Sequence, residues 1–150
     1  MLSAIEQLIQ RNLADGSDIA VSAGVSQDMI QQAESMLGVR FPVSYRAFLA
    51  TYGAIEIDCQ SFAGLTPEGK VGDDCDVVSF TRYAREHYSL PDPYVALDFQ
   101  DGDFWLCLDT SQVDAQGESP VVLVSPVDGT RKGPAVAESW ASYLTSYLSA

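Results

Sequence analysis

The segment Leu37–Gly53, LGVRFPVSYRAFLATYG, constrains the fold of this chain more than any other stretch. Gly38 can close a helix after Leu37 in the left-handed conformation, because it has no Cβ to clash. Pro42 suits the first turn of a following helix, where its missing N–H leaves no bond unmade. From there Tyr45, Phe48, Leu49 and Tyr52 recur at three- and four-residue intervals, the spacing of one helix face. Gly53 offers a second stop. Two helices joined by so short a step form a tight, angled pair.

The flanking sequence supplies the other elements. Ser26 is a good N-cap, with Asp28 near the positive helix end and Met29, Ile30, Ala33 and Leu37 as a buried stripe. Ile5, Leu8, Ile9 and Leu13 mark a first amphipathic helix that ends near Asp15-Gly16, and GSDIAVSAGVS after it reads as a loop with a brief extended piece. Beyond Gly53, IEID and SFAGL are short strand-compatible pieces, and PEGKVGDDCD is a loop. Val77, Phe80, Ala84 and Tyr88 predict a helix, which Pro91 and Pro93 end. Asp101-Gly102 between YVALDF and FWLCLD is a hairpin signal, and VVLVS is a further strand. Val136, Trp140, Tyr143, Leu144, Tyr147 and Leu148 predict a final helix. The expected fold is a single α+β domain over residues 1–150. Its central antiparallel sheet has helices from both ends packed on one face and the other face partly open.

Charge separates the chain into unequal parts. Its net charge is −13 over 150 residues. Residues 1–55 carry five acids and three bases, whereas residues 56–118 carry fourteen acids against Lys70, Arg82 and Arg85, a net −11. Residues 119–150 balance. Such a field repels nucleic acid and anionic lipid and draws basic partners. No apolar run approaches the roughly 20 residues that span a bilayer. Glu6 and the lack of a basic leader argue against a secretory signal. Cys59, Cys75 and Cys107 are an odd number without metal-ligand spacing, read as free thiols in a reducing cytoplasm.

Catalytic patterns are weak. The one histidine, His87, sits beside Arg85 and Glu86 on a predicted helix and reads as a surface or capping residue. Asp98, Asp101, Asp103 and Asp109 are the best candidates for a metal or acid–base site, yet Asp98 and Asp103 flank a turn that favours Asp for geometry alone. DFQDGDFW lacks the spacing of an EF-hand loop. Asp73, Asp74 and Asp76, with Cys75 among them, form a solvated acidic loop suited to electrostatic docking. No phosphate-binding loop is present, and no cofactor is implied. Phe104 and Trp105 are neighbours on a strand and point to opposite faces, so one of them is the candidate exposed anchor for an interface.

IQQAESMLGVRFPVSYRAFLATYG resembles the opening motif of the SUKH superfamily, the Smi/Knr cell-wall regulator group and its bacterial relatives. The motif elements are Leu37-Gly38, Phe41-Pro42, Tyr45, Phe48-Leu49 and Tyr52-Gly53, with Glu34 as the common helix acid. DFQDGDFWLCLD, ending in Asp109, resembles the family's turn and aromatic strand, and PVVLVS and ESWASYL, with Trp140, resemble its last strand and helix. The resemblance covers residues 27–149 and leaves the first helix as an extension. Many relatives have an acid before the tyrosine, where this chain has Ser44, and Asn-Gly at the helix end, where it has Tyr52-Gly53.

The resemblance implies the Smi/Knr-like fold and a binding role without catalysis. Its bacterial members look like cytoplasmic immunity proteins that neutralise toxins, often nucleases. The charge reading agrees, since the net −11 of the middle region suits a basic toxin domain, and the expected occluding residues are Asp73, Asp74, Asp76, Asp98, Asp101 and Asp103 with Trp105 as the aromatic anchor. Two alternatives stand beside it. One is a regulatory scaffold in cell-wall or signalling assemblies, and the other is a metal-dependent hydrolase using the Asp98–Asp109 carboxylates.

Overall fold

In the computed structural model, which describes residues 2–73, 75–100 and 102–150, the opening helix pair forms as its residues dictate. Helix α1 (Leu2–Ala14) buries Ile5 and Ile9, and β1 (Ile19–Val21) follows. Helix α2 (Gln27–Leu37) starts at Ser26, whose hydroxyl accepts the Met29 N–H at 3.2 Å. It ends at Gly38 with φ 69°, where the Gly38 N–H reaches back to the Glu34 and Ser35 carbonyls. Helix α3 (Val43–Thr51) buries Tyr45, Phe48 and Leu49. Pro42 sits one position earlier than expected, at the N-cap, and has no side-chain cap to offer. Gly53 closes this region at φ 73°, where any Cβ would overlap the Ala23 and Leu65 carbonyl oxygens.

The central sheet expected from the sequence is instead two three-stranded antiparallel sheets. The first has the order β1-β2-β3, with β2 (Ile55–Ile57) and β3 (Gln60–Phe62). The second has the order β4-β5-β6, with β4 (Tyr94–Gln100), β5 (Phe104–Asp109) and β6 (Val121–Val124). They meet where the Ala63 N–H donates to the Leu97 carbonyl at 2.8 Å. Gly64, whose missing Cβ admits the Gly53 carbonyl, then carries the chain away from the sheet. On the other side β4 is irregular between Ala96 and Asp98.

Helix α4 (Val77–Tyr88) forms as predicted and lies on β4, its Thr81 hydroxyl accepting the Ala96 N–H at 3.0 Å. It covers the face of the second sheet that was expected to stay open. Val95, Leu97, Leu106, Leu108 and Val121 join the larger core with the other helices. Ala96, Trp105, Cys107, Val122 and Val124 form a second core with Ala84 and Leu90. Helix α5 (Trp140–Ser149) starts at its cap Ser139, so Val136 lies outside it and Ala137 instead bridges to Val121. Trp140 sits within 6 Å of the rings of Tyr45, Phe48, Phe62 and Tyr143. Asn12 ties α1 to α5 by donating to the Leu148 carbonyl at 2.8 Å.

Candidate functional site

The second core disposes of one expected anchor. Trp105 is 1% exposed, stacked on Phe99 at 4.2 Å and met edge-on by Phe80 and Tyr88. It is a core residue and not an interface anchor, because α4 covers its face of the sheet. Phe104, the other member of the pair, is half-buried.

The acids divide by role. Asp76 is 8% exposed, and both of its oxygens are used within the fold. Oδ1 caps α4 by accepting the Ser79 N–H at 2.9 Å, and Oδ2 accepts the Gly72 N–H at 2.8 Å. Its expected place among solvated docking acids is corrected to that of a helix cap. Asp109 is buried and accepts both the Ser111 N–H and hydroxyl, which fixes a turn. Asp73 and Asp103 are exposed, and Asp98 is half-buried. Asp74 and Asp101 lie outside the described residues.

A cleft of about 640 Å³ runs along the first sheet and draws two of these regions together. Cys75 and Asp76 from the loop before α4 line it, together with Asp98 of β4, Phe80 and Leu97. Asp73 faces a separate depression with Met29, Gln32 and Lys70. Across the cleft floor the register aligns Ala20, Glu56 and Ser61. Glu56 is exposed and was not singled out from sequence. The alternation in Ile55-Glu56-Ile57, buried-exposed-buried, was the signal that could have found it.

Aromatic and acidic groups continue beyond the cleft. Tyr143 and Tyr147 of α5 pack edge-on against Phe62 at 5.8 and 5.3 Å. Burial raises the pKa of both phenols, with the Asp98 charge adding to the shift and the Asp58 charge adding at Tyr147. Asp58 and Cys59 make the β2–β3 turn with φ of 49° and 71°, and Asp58 Oδ1 accepts the Asp18 N–H at 2.8 Å. The two-residue hairpin demands positive φ at both positions.

Little in this arrangement assembles chemistry. His87 is exposed at the end of α4, its ring centroid 4.5 Å from that of Tyr83. The ladder holds Asp98 opposite Leu106 and Asp109 opposite Tyr94, which keeps these carboxylates apart. Among the described residues, no group of three or more His, Cys, Asp or Glu could hold a metal ion. Cys59 and Cys75 are exposed, and Cys107 is buried, its thiol pKa pushed up by burial and then by Asp109. No helix among the described residues is long and apolar enough to cross a membrane.

The fold and the cleft define an α+β domain with one sheet buried on both faces and another left with an acidic open face. The SUKH_5 family, described as SMI1-KNR4 cell-wall, matches residues 1–149, and the chain belongs to that family. The match takes in α1, which the motif resemblance over residues 27–149 had left out.

Proposed function

We propose that this chain is a non-catalytic immunity protein that binds and occludes a basic toxin domain, a nuclease being the class its charge fits best. The observation that carries this is the concentration of a net −11 in residues 56–118, with Glu56 and Asp98 from that region lining one cleft. A nuclease cleft is built to attract phosphates, so an acidic protein competes for the same cationic surface. Family membership supports a binding role of this kind.

Co-expression tests the proposal. A toxin domain encoded immediately beside this gene should arrest growth of a host cell, and this chain should restore growth. Growth arrest that persists despite abundant folded protein would overturn the proposal. The family description favours a second reading, a scaffold in cell-wall assembly. That role predicts a cell-wall defect on deletion in cells that make no toxin.

A further inference from the structure

The cleft floor has a construction that the surrounding acids do not explain. Side chains alternate between the faces of a strand, so Ile55, Ile57 and Phe62 enter the core while Ala20, Glu56 and Ser61 face outward. Two of those three outward side chains are small, which lets another backbone approach closely. Glu56 stands among them with its Oε1 accepting the Ser61 hydroxyl at 3.0 Å. Phe80 and Cys75 line the cleft from the α4 side and Asp98 from β4, and among the described residues no Lys, Arg or His lines it. A shallow trough with one carboxylate between two small side chains, and no cation in its described lining, is complementary to a cation carried on a slim segment. A second copy seated through this same face about a two-fold axis would set Glu56 against Glu56.

We propose that this open face seats an extended, small-residue segment of the toxin, with one Lys or Arg side chain on Glu56. The exposed loop acids Asp73 and Asp103 then act at longer range, steering encounter but not holding the complex. This assignment rests on the immunity proposal and locates its contact surface.

The probe is the domain that arrests growth in the co-expression test above, catalytically inactivated. Binding is measured for the full chain and for Ala20→Trp, Glu56→Lys, Glu56→Gln and the double variant Asp73→Asn/Asp103→Asn. Ala20, Glu56, Asp73 and Asp103 are all exposed, so circular dichroism and thermal melting should stay close to wild type. Ala20→Trp and Glu56→Lys should each weaken Kd by about 100-fold or more, and Glu56→Gln by about tenfold. The loop pair should change Kd by less than about threefold while slowing association.

Wild-type affinity in both Ala20→Trp and Glu56→Lys would overturn this assignment and leave the immunity proposal standing. A toxin domain that wild-type protein neither binds nor neutralises would overturn both. Amide-resonance mapping on the wild-type protein removes dependence on the variants folding. Toxin should perturb Ala20, Glu56 and Ser61 most, and largest effects at Asp73 and Asp103 would contradict the assignment.

Discussion

Glu118 performs for α3 what Pro42 cannot. Its buried carboxylate accepts the Ser44 N–H at 3.1 Å and the Ser44 hydroxyl at 2.9 Å, and the Ser44 oxygen in turn accepts the Ala141 N–H at 3.2 Å. The start of α3 thus meets an anion at the end its dipole favours, and the Ser44 hydroxyl links it to the start of α5. Ser44 receives its carboxylate from a residue 74 positions away. Glu118→Ala strands two buried donors and should cost about 2–3 kcal/mol in urea unfolding. Glu118→Gln keeps an acceptor and should cost clearly less. Equal losses would remove the acceptor's role. Tyr45 offers a pH test at the same scale. Its hydroxyl donates to the Ala63 carbonyl at 2.7 Å, and burial, then the Asp76 charge, raises its pKa above the ordinary 10.0. The unfolded chain therefore ionises first. Stability from this group is complete below about pH 10 and falls as pH rises above it. Tyr45→Phe should lose about 1 kcal/mol at neutral pH but show a shallower alkaline decline. An unchanged alkaline slope would contradict the assignment.

Among the elements, those governed by short-range chemistry were legible and those governed by distant partners were not. Ser26, Gly38 and Gly53 mark their boundaries because caps and positive φ are local demands. The hairpin around Gly102 and helix α4 were legible for the same reason. The split into two sheets was not, because it depends on contacts between distant segments such as Gly64 meeting Gly53. The burial of both faces of the second sheet did leave a mark. FWLCL and VVLV are unbroken apolar runs and not alternating ones, the pattern of strands covered on two sides. Read that way, they would have placed Trp105 in the core. Trp105→Ala should cost about 3–5 kcal/mol in denaturant unfolding, a large share of a domain's stability. Trp105→Phe should fold with a smaller loss and keep partner affinity. A folded Trp105→Phe protein that binds markedly less well would restore the anchor role.

On the scale of the whole molecule, sequence composition located the charge but not its use. Counting along the chain finds the net −11 of residues 56–118, yet treats every acid there alike. The fold spends Asp76, Asp109 and Glu118 on caps and turns, leaves Asp73 and Asp103 to solvent, and sets Glu56 on an open sheet face. The proposed recognition of a basic toxin domain by this surface predicts an electrostatically steered complex. Exposed charges are screened beyond about 8–10 Å at ordinary ionic strength, so steering shows in the association rate. Stopped-flow mixing of the chain with the inactivated neighbouring toxin domain, over a range of salt, tests this most directly. The association rate should fall by about tenfold or more from low to physiological salt, and neutralising Glu56, Asp73, Asp98 and Asp103 together should flatten that dependence. Rapid binding that ignores both salt and these four substitutions would contradict the account.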